Sequence, residues 1–222
     1  MMYKWMMAGA AALAVTASSA RAQGSDPRLA RKLDAQTLVA VEAVIDSARA
    51  LGLPTEPLAD RAFEYAAKGR PGASIVAAVR TRAVQLGTAK RALATTSDRE
   101  VIAGADALAN NVPESTLAEL RRARTTAELT IPLSVLADLV ARGAQIDTAS
   151  AVVIALVGTN MRDGDMIKFR QTVERDIALG TLPAAAALTR GEAALGALDS
   201  PGTNNGQVRG PIIPSPKPPI KP

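Results

Sequence analysis

The sequence predicts an all-α protein, an irregular bundle or short superhelix of α-hairpins with a disordered, proline-rich C-terminal tail. Three observations lead to this prediction. Apolar residues recur every three or four positions through most of the chain, glycines follow these periodic stretches, and one eight-residue phrase suited to the start of a helix occurs three times. A half-buried strand would instead alternate apolar and polar residues.

The first 22 residues have the organisation of a signal peptide. Lys4 supplies a positive charge, residues 6–17 are apolar, and Ala20 and Ala22 have the spacing that signal peptidase recognises. This apolar run is too short for a membrane-spanning helix, which needs about 20 residues. We therefore expect cleavage between Ala22 and Gln23 and export to the periplasm or the extracellular space.

Each predicted helix has one apolar face. The members of these faces are Leu38, Val41, Ile45 and Ala48 near residues 35–50; Ile75, Val79, Ala83, Leu86 and Leu93 near residues 73–94; and Phe169, Val173 and Ile177 near residues 165–178. The run AVVIALVG at 151–158 is β-branched enough for a strand. Asp147 ahead of it and the alanines within it favour a buried helix.

Helix starts and stops agree with this periodicity. Ser97 and Glu100 have the spacing of a capping box, and Asp165 is placed to cap a helix that begins at Met166. Glycine ends helices readily because it adopts the left-handed conformation. The glycines that follow apolar-periodic stretches are Gly52, Gly69, Gly143 and Gly180.

The repeated phrase reads LPTEPLAD at 53–60, VPESTLAE at 112–119 and IPLSVLAD at 131–138, with a weaker copy at 182–188. Proline suits the first turn of a helix, where its missing N–H has no partner to lose. The aliphatic residues on either side of the proline have the spacing of a hydrophobic staple. The predicted pairs are Leu53/Leu58, Val112/Leu117 and Ile131/Leu136, each followed by a solvent-facing acid at Asp60, Glu119 or Asp138.

In this register the proline is the N-cap itself, with an uncertainty of one position. The four prolines lie at positions 54, 113, 132 and 183, so no fixed period relates them. Tetratricopeptide and ankyrin arrays need a constant period of about 33–34 residues. This spacing favours an irregular arrangement over a regular solenoid.

The sequence therefore predicts three segments: a signal peptide at 1–22, a helical domain at 23–199 and a basic, proline-rich tail at 200–222. The tail is too poor in apolar surface to offset the entropy of ordering it, which predicts disorder with polyproline character. The domain carries 21 basic and 21 acidic residues. Because the excess positive charge lies at the two ends, it gives no reason to expect nucleic-acid binding.

The chain contains no histidine and no cysteine. This excludes Ser-His-Asp and Cys-His catalysis and also imidazole or thiolate metal sites. RDGD at 162–165 fails as a calcium loop, because with Gly164 in the glycine position the closing ligand would be Arg170. It reads as a turn before the next helix. We predict no cofactor and no metal.

Residues 65–97 contain six cations and no acid: Lys68, Arg70, Arg80, Arg82, Lys90 and Arg91. They predict either a face for an anionic partner or, more simply, the solvated side of an amphipathic helix. RRAR at 121–124 reads as surface charge, with Glu119 and Arg122 spaced to pair on one helix face.

Residues 52–79 resemble a segment common among uncharacterised exported bacterial proteins. The shared features are Gly52-Leu53-Pro54, then Leu58, then Lys68-Gly69-Arg70-Pro71, then Ile75. The resemblance covers under a fifth of the processed chain. It implies a helix–turn–helix unit and export, and it implies no catalytic residue.

Three functions stay open at this point. The first is a non-catalytic scaffold of the cell envelope that binds a protein or peptide. The second is an envelope hydrolase or lyase using carboxylates alone, for which Asp163 and Asp165 are the only cluster to nominate. The third is a passive spacer adhering to an anionic wall or membrane surface.

Overall fold

The computed structural model describes residues 26–199, and within this range it contains ten α-helices and no β-strand. The all-α prediction is therefore confirmed for these residues. The helices are α1 Pro27–Ala30, α2 Ala35–Ala50, α3 Glu56–Ala67, α4 Gly72–Leu93, α5 Asp98–Ala109, α6 Glu114–Ala123, α7 Thr130–Ala141, α8 Ile146–Gly158, α9 Asp163–Ala178 and α10 Pro183–Asp199. The predicted signal peptide and tail lie outside the described residues.

The extensive contacts join helices that are consecutive or two apart in the chain. The even-numbered helices α2, α4, α6, α8 and α10 form one continuous row. Helices α5, α7 and α9 form a second row beside it. Within residues 26–199, no helix makes extensive contact with one three or more positions away. The helices therefore stack progressively along the chain.

Helices α2 and α4 run parallel and touch at both ends. At the first end a Cβ built on Gly72 would lie 2.1 Å from the Thr37 hydroxyl oxygen and 3.5 Å from Oδ2 of Asp34. At the other end the Lys90 ammonium donates to the carbonyls of Leu51 and Gly52, at 3.2 and 2.8 Å. Helix α3 connects them in the reverse direction.

A single core of leucine, valine and alanine lies between the helices. The apolar faces predicted for α2, α4 and α9 are confirmed, since Val41, Leu86 and Val173 at their centres have no exposed surface. The run at 151–158 is helical, as predicted, and forms most of α8. Small residues let the helices approach closely: a Cβ on Gly104 would meet Cδ1 of Leu93 at 2.8 Å.

The predicted proline register holds for α6, is within its one-position uncertainty for α3 and α10, and is wrong for α7. Pro113 is its N-cap, with Val112 and Leu117 buried on either side. In α3 the cap is Thr55, one residue after the first proline of the phrase, and Pro57 occupies the first turn instead. In α7 the cap is Leu129, so Pro132 stands three positions inside the helix. Helix α10 begins at its proline.

The position at which α7 begins depends on a residue of another helix. The N–H of Leu129 donates to a carboxylate oxygen of Glu100 at 2.6 Å, and Glu100 belongs to α5. A neighbouring helix thus satisfies a donor at the N-terminus of α7, which lets the helix begin ahead of its proline.

The predicted stops are confirmed, because all four glycines have positive φ angles between 63° and 97°. Ser97 caps α5 as predicted, with its hydroxyl accepting from the N–H of Glu100. The prediction for Asp165 is wrong. Helix α9 begins at Asp163, three residues earlier than predicted, with Arg162 as N-cap, so Asp165 lies inside the first turn.

Candidate functional site

An open cleft of about 360 Å³ lies where the α4–α5 turn meets the connection between α6 and α7. Four hydroxyl side chains and charges of both signs line it. The lining residues are Ala94, Thr95, Ser97, Arg99, Glu100, Arg121, Thr125, Thr126, Ala127 and Glu128. The cleft thus combines two chain connections from separate helix pairs.

Glu100 forms the floor of this cleft and is only 3% exposed. Its Oε2 accepts from Nη2 of Arg121 at 2.6 Å, and its Oε1 accepts the Leu129 N–H. The Thr95 side chain supplies another hydrogen bond. A buried charge needs such partners because an unpaired carboxylate would lose its hydration without replacement.

Arg121 joins the walls of the cleft together. Its Nε donates to the Leu93 carbonyl at 3.0 Å, at the end of α4, and its Nη1 donates to the carbonyls of Arg124 and Ala127, both at 3.3 Å. One guanidinium therefore fixes the α4–α5 turn and the α6–α7 connection against Glu100. Planar donors in a fixed fork suit arginine to this role better than lysine.

The α4–α5 turn contains Ala94 in the left-handed conformation, with φ of 46°. This conformation costs an L-residue with a Cβ about 1–2 kcal/mol. The bond from Arg121 to Leu93, one residue earlier, contributes to holding the turn. The walls of the cleft are therefore preorganised by the protein itself.

Burial alone raises the pKa of Glu100, but the hydrogen bonds from Thr95, Leu129 and Arg121 outweigh it. The net pKa lies below its usual value of 4.5. Glu100 is therefore an anion at neutral pH with its acceptor positions occupied. A general acid would need the opposite shift, so this carboxylate acts as a structural anchor.

The prediction of surface charge at 121–124 is wrong for two of its arginines. Arg121 is the anchor described above, and Arg124 donates to Asp163 of α9 at 3.1 Å. Arg122 is exposed and lies 3.9 Å from Glu119, as predicted. The sequence pattern indicates Glu100 only as half of a capping box, and in the structure Ser97 and Glu100 make just one of the two capping-box bonds. Glu100 pairs with Arg121, which is 21 residues away, so no pattern in the neighbouring sequence could indicate the pair.

The six cations predicted in residues 65–97 do not form one face. Arg82 is only 5% exposed and donates to Asp106 of α5 at 2.7 Å. It follows Val79 by three positions and precedes Leu86 by four, which places it on the buried face of α4. Lys90 bonds to the end of α2, and Lys68 pairs with Glu64. Arg70, Arg80 and Arg91 remain exposed.

Asp163 and Asp165 do not face the cleft as a catalytic pair. Asp163 accepts from Arg124, and Asp165 pairs with Lys168 at 3.1 Å in the first turn of α9. Within residues 26–199 there is also no group of three or more acids placed to hold a metal ion. No helix in the same range is both long and apolar enough to cross a membrane.

No protein-family model matches the chain, no curated protein matches it, and no solved structure matches it. A functional conclusion therefore has to come from the geometry of the described residues.

Proposed function

We propose that this protein is an exported, non-catalytic helical scaffold of the cell envelope that binds a protein or peptide partner. The progressive stacking of helices two apart supports a short superhelix of α-hairpins rather than a closed bundle. Such stacks offer extended surfaces for other polypeptides. The cleft beside Glu100 is the binding site we assign to the partner.

The observation that carries this proposal is the preorganised cleft. Its walls are fixed by Arg121, so binding would not have to order them. Its rim presents the exposed hydroxyls of Thr125 and Thr126 together with Arg99 and Glu128. Hydroxyls both donate and accept hydrogen bonds, which matches the amide and carbonyl groups of a polypeptide.

Photo-crosslinking from the cleft tests this function. A photoreactive amino acid replaces Thr126 in the full chain, and irradiation is carried out in the envelope fraction. The matched control carries the same amino acid at Gln171, which is exposed on α9 away from the cleft lining. We expect a discrete crosslinked polypeptide only from Thr126.

The crosslink should also disappear when the cleft is filled by Thr125→Arg, and it should persist when Gln171→Arg is introduced instead. Products of equal yield from Thr126 and Gln171, or no polypeptide product from either, would contradict the proposal.

The exposed arginines favour a second candidate, adhesion to an anionic wall or membrane surface. Arg80 and Arg91 are eleven residues apart on α4, which places them on one side of that helix, and Arg70 lies just before it. Attraction between exposed charges weakens as salt screens it. Adhesion should therefore fall steeply between low and physiological ionic strength.

Sedimentation with anionic and neutral vesicles tests this second candidate. We expect the full chain to sediment with anionic vesicles only, and Arg80→Glu/Arg91→Glu to reduce the bound fraction. Arg122→Glu/Arg162→Glu is the matched control, since both residues are highly exposed and lie outside α4. Equal losses for the two double variants would show only a general charge effect.

A further inference from the structure

Among residues 26–199, the large apolar side chains that face solvent lie towards the two ends of the helix stack. Those at the first end are Val39, Leu51, Phe63 and Val84, and those at the last end are Leu179, Leu182 and Leu188. Between residues 85 and 178, all of which the structure describes, no large hydrophobic side chain is exposed to this degree. The apolar side chains are therefore covered in the middle of the stack and exposed towards its ends.

The last end is the more concentrated of the two. Leu179 is 79% exposed and Leu182 is 75% exposed, and both lie in the turn that leads from α9 into α10. Leu188 follows on α10 and is 45% exposed. Helix α10 packs on α8 and α9 and has no later helix in the described chain to cover it. Terminal units of helical stacks usually need a cover on this side.

We propose that the chain's own C-terminal segment covers this surface, with Ile212 and Ile213 seated against Leu179 and Leu182. The segment of 23 residues starts directly after Asp199, where α10 ends. This proposal concerns a different surface from the cleft and does not depend on the function proposed above.

The reach of the segment is sufficient. Helix α10 has 17 residues, which corresponds to a length of about 25 Å. The thirteen residues from Ser200 to Ile212 span up to about 40 Å when extended, at about 3.1 Å per residue. The chain can therefore leave the C-terminus of α10 and return to the turn that precedes its N-terminus.

The chemistry of the segment is also suitable. Ile212 and Ile213 are its only adjacent pair of aliphatic residues, and they stand between Pro211 and Pro214. Proline fixes its own φ and biases the residue before it towards extended backbone. Such a peptide loses less conformational freedom on docking than a flexible one would.

A spin label near this pair tests the proposal in the full chain. The chain has no cysteine, so Ser215→Cys gives a single attachment site for a nitroxide close to both isoleucines. Methyl NMR signals of the leucines then report which of them approach the label. We expect loss of most of the signal at Leu179 and Leu182, and no loss at Leu51, which is exposed at the opposite end.

The control variant carries Ile212→Ser/Ile213→Ser in the same labelled chain, and it should restore the signals of Leu179 and Leu182. Equal loss at Leu51, or loss that the serines do not relieve, overturns the proposal. So does loss in a mixture where the label and the isotopes are on different molecules, because a second copy would then be the cover.

Discussion

At the scale of single residues, the buried pair of Glu100 and Arg121 is the most consequential interaction in this protein. Glu100 accepts hydrogen bonds from α6 and from the start of α7, so one carboxylate serves three helices. Removing one partner of such a pair is costly, since the other charge stays buried without compensation. The same pair sets the floor and the walls of the cleft.

The substitution Glu100→Gln should lower the free energy of unfolding by about 3 kcal/mol, because it leaves the Arg121 guanidinium without its counter-charge. Urea unfolding followed by circular dichroism at neutral pH measures this. Glu128→Gln is the matched control: its pairing with Arg99 is exposed, and its loss should cost less than about 1 kcal/mol. Similar losses for the two variants would mean that the buried pair stabilises the protein no more than the exposed pair does.

The stabilisation from Glu100 should depend on pH. Its pKa in the folded protein is lowered, so its contribution is fully present above the unfolded value of about 4.5 and is lost as the pH falls through the folded value. The difference in unfolding free energy between the native chain and Glu100→Gln should therefore shrink on acidification. A difference that stays constant from neutral pH down to pH values well below 4.5 would contradict the assigned shift.

At the scale of helices, close packing depends on a few glycines where two helices meet. A Cβ on Gly104 would lie 3.0 Å from the Cβ of Ala89 and 2.8 Å from Cδ1 of Leu93, so α5 could not stay at its distance from α4. Gly191 similarly allows α10 to approach Val152 of α8. These contacts tie helices of the stack to one another.

The substitution Gly104→Ala should lower the free energy of unfolding by about 1–3 kcal/mol through overpacking. Gly164→Ala on α9 is the matched control, since nothing lies within 4 Å of its added Cβ and its φ is not positive. There alanine should raise stability by up to about 1 kcal/mol through its better helix propensity. Chemical denaturation of both variants measures whether the free energy of unfolding falls or rises. A Gly104→Ala variant with unchanged stability would argue against the α4–α5 contact.

Helices were predictable from the sequence, but their exact starts were only partly so. Periodicity placed the apolar faces of α2 and α4, and Gly52 marked a stop, because these signals act within one helix. The beginning of α7 depends on a hydrogen bond from Leu129 to Glu100, 29 residues away. No local pattern could reveal that bond.

The candidate site was not predictable for the same reason. The cleft forms between two connections, at 94–97 and 124–128, that come together only through the arginine bonds described above. Conversely, the spacing of Arg82 from Val79 and Leu86 does indicate the buried face of α4, where the structure places it. A charged side chain normally indicates an exposed position, so the charge and the spacing of Arg82 give opposite predictions.

At the scale of the whole molecule, a progressive stack is held by neighbour contacts alone. Helices α5 and α7 pack more extensively against their neighbours than α2 and α10 do, so local opening should be easier in α2 and α10.

We expect amide hydrogens of α2 and of the C-terminal half of α10 to exchange with solvent faster than those of α5 and α7. Hydrogen exchange of the full chain followed by mass spectrometry measures this gradient. Uniform protection from α2 to α10 would instead indicate one fully cooperative unit.

The two anchor points between α2 and α4 limit how the chain can change in length. Thr37 is held against Gly72 at one end, and Gly52 is held by Lys90 at the other. The α3 hairpin must therefore span a fixed gap, and an inserted or deleted residue there would pull one anchor apart. Natural variation in chain length should therefore spare the segment from Thr37 to Lys90, which these two anchors delimit.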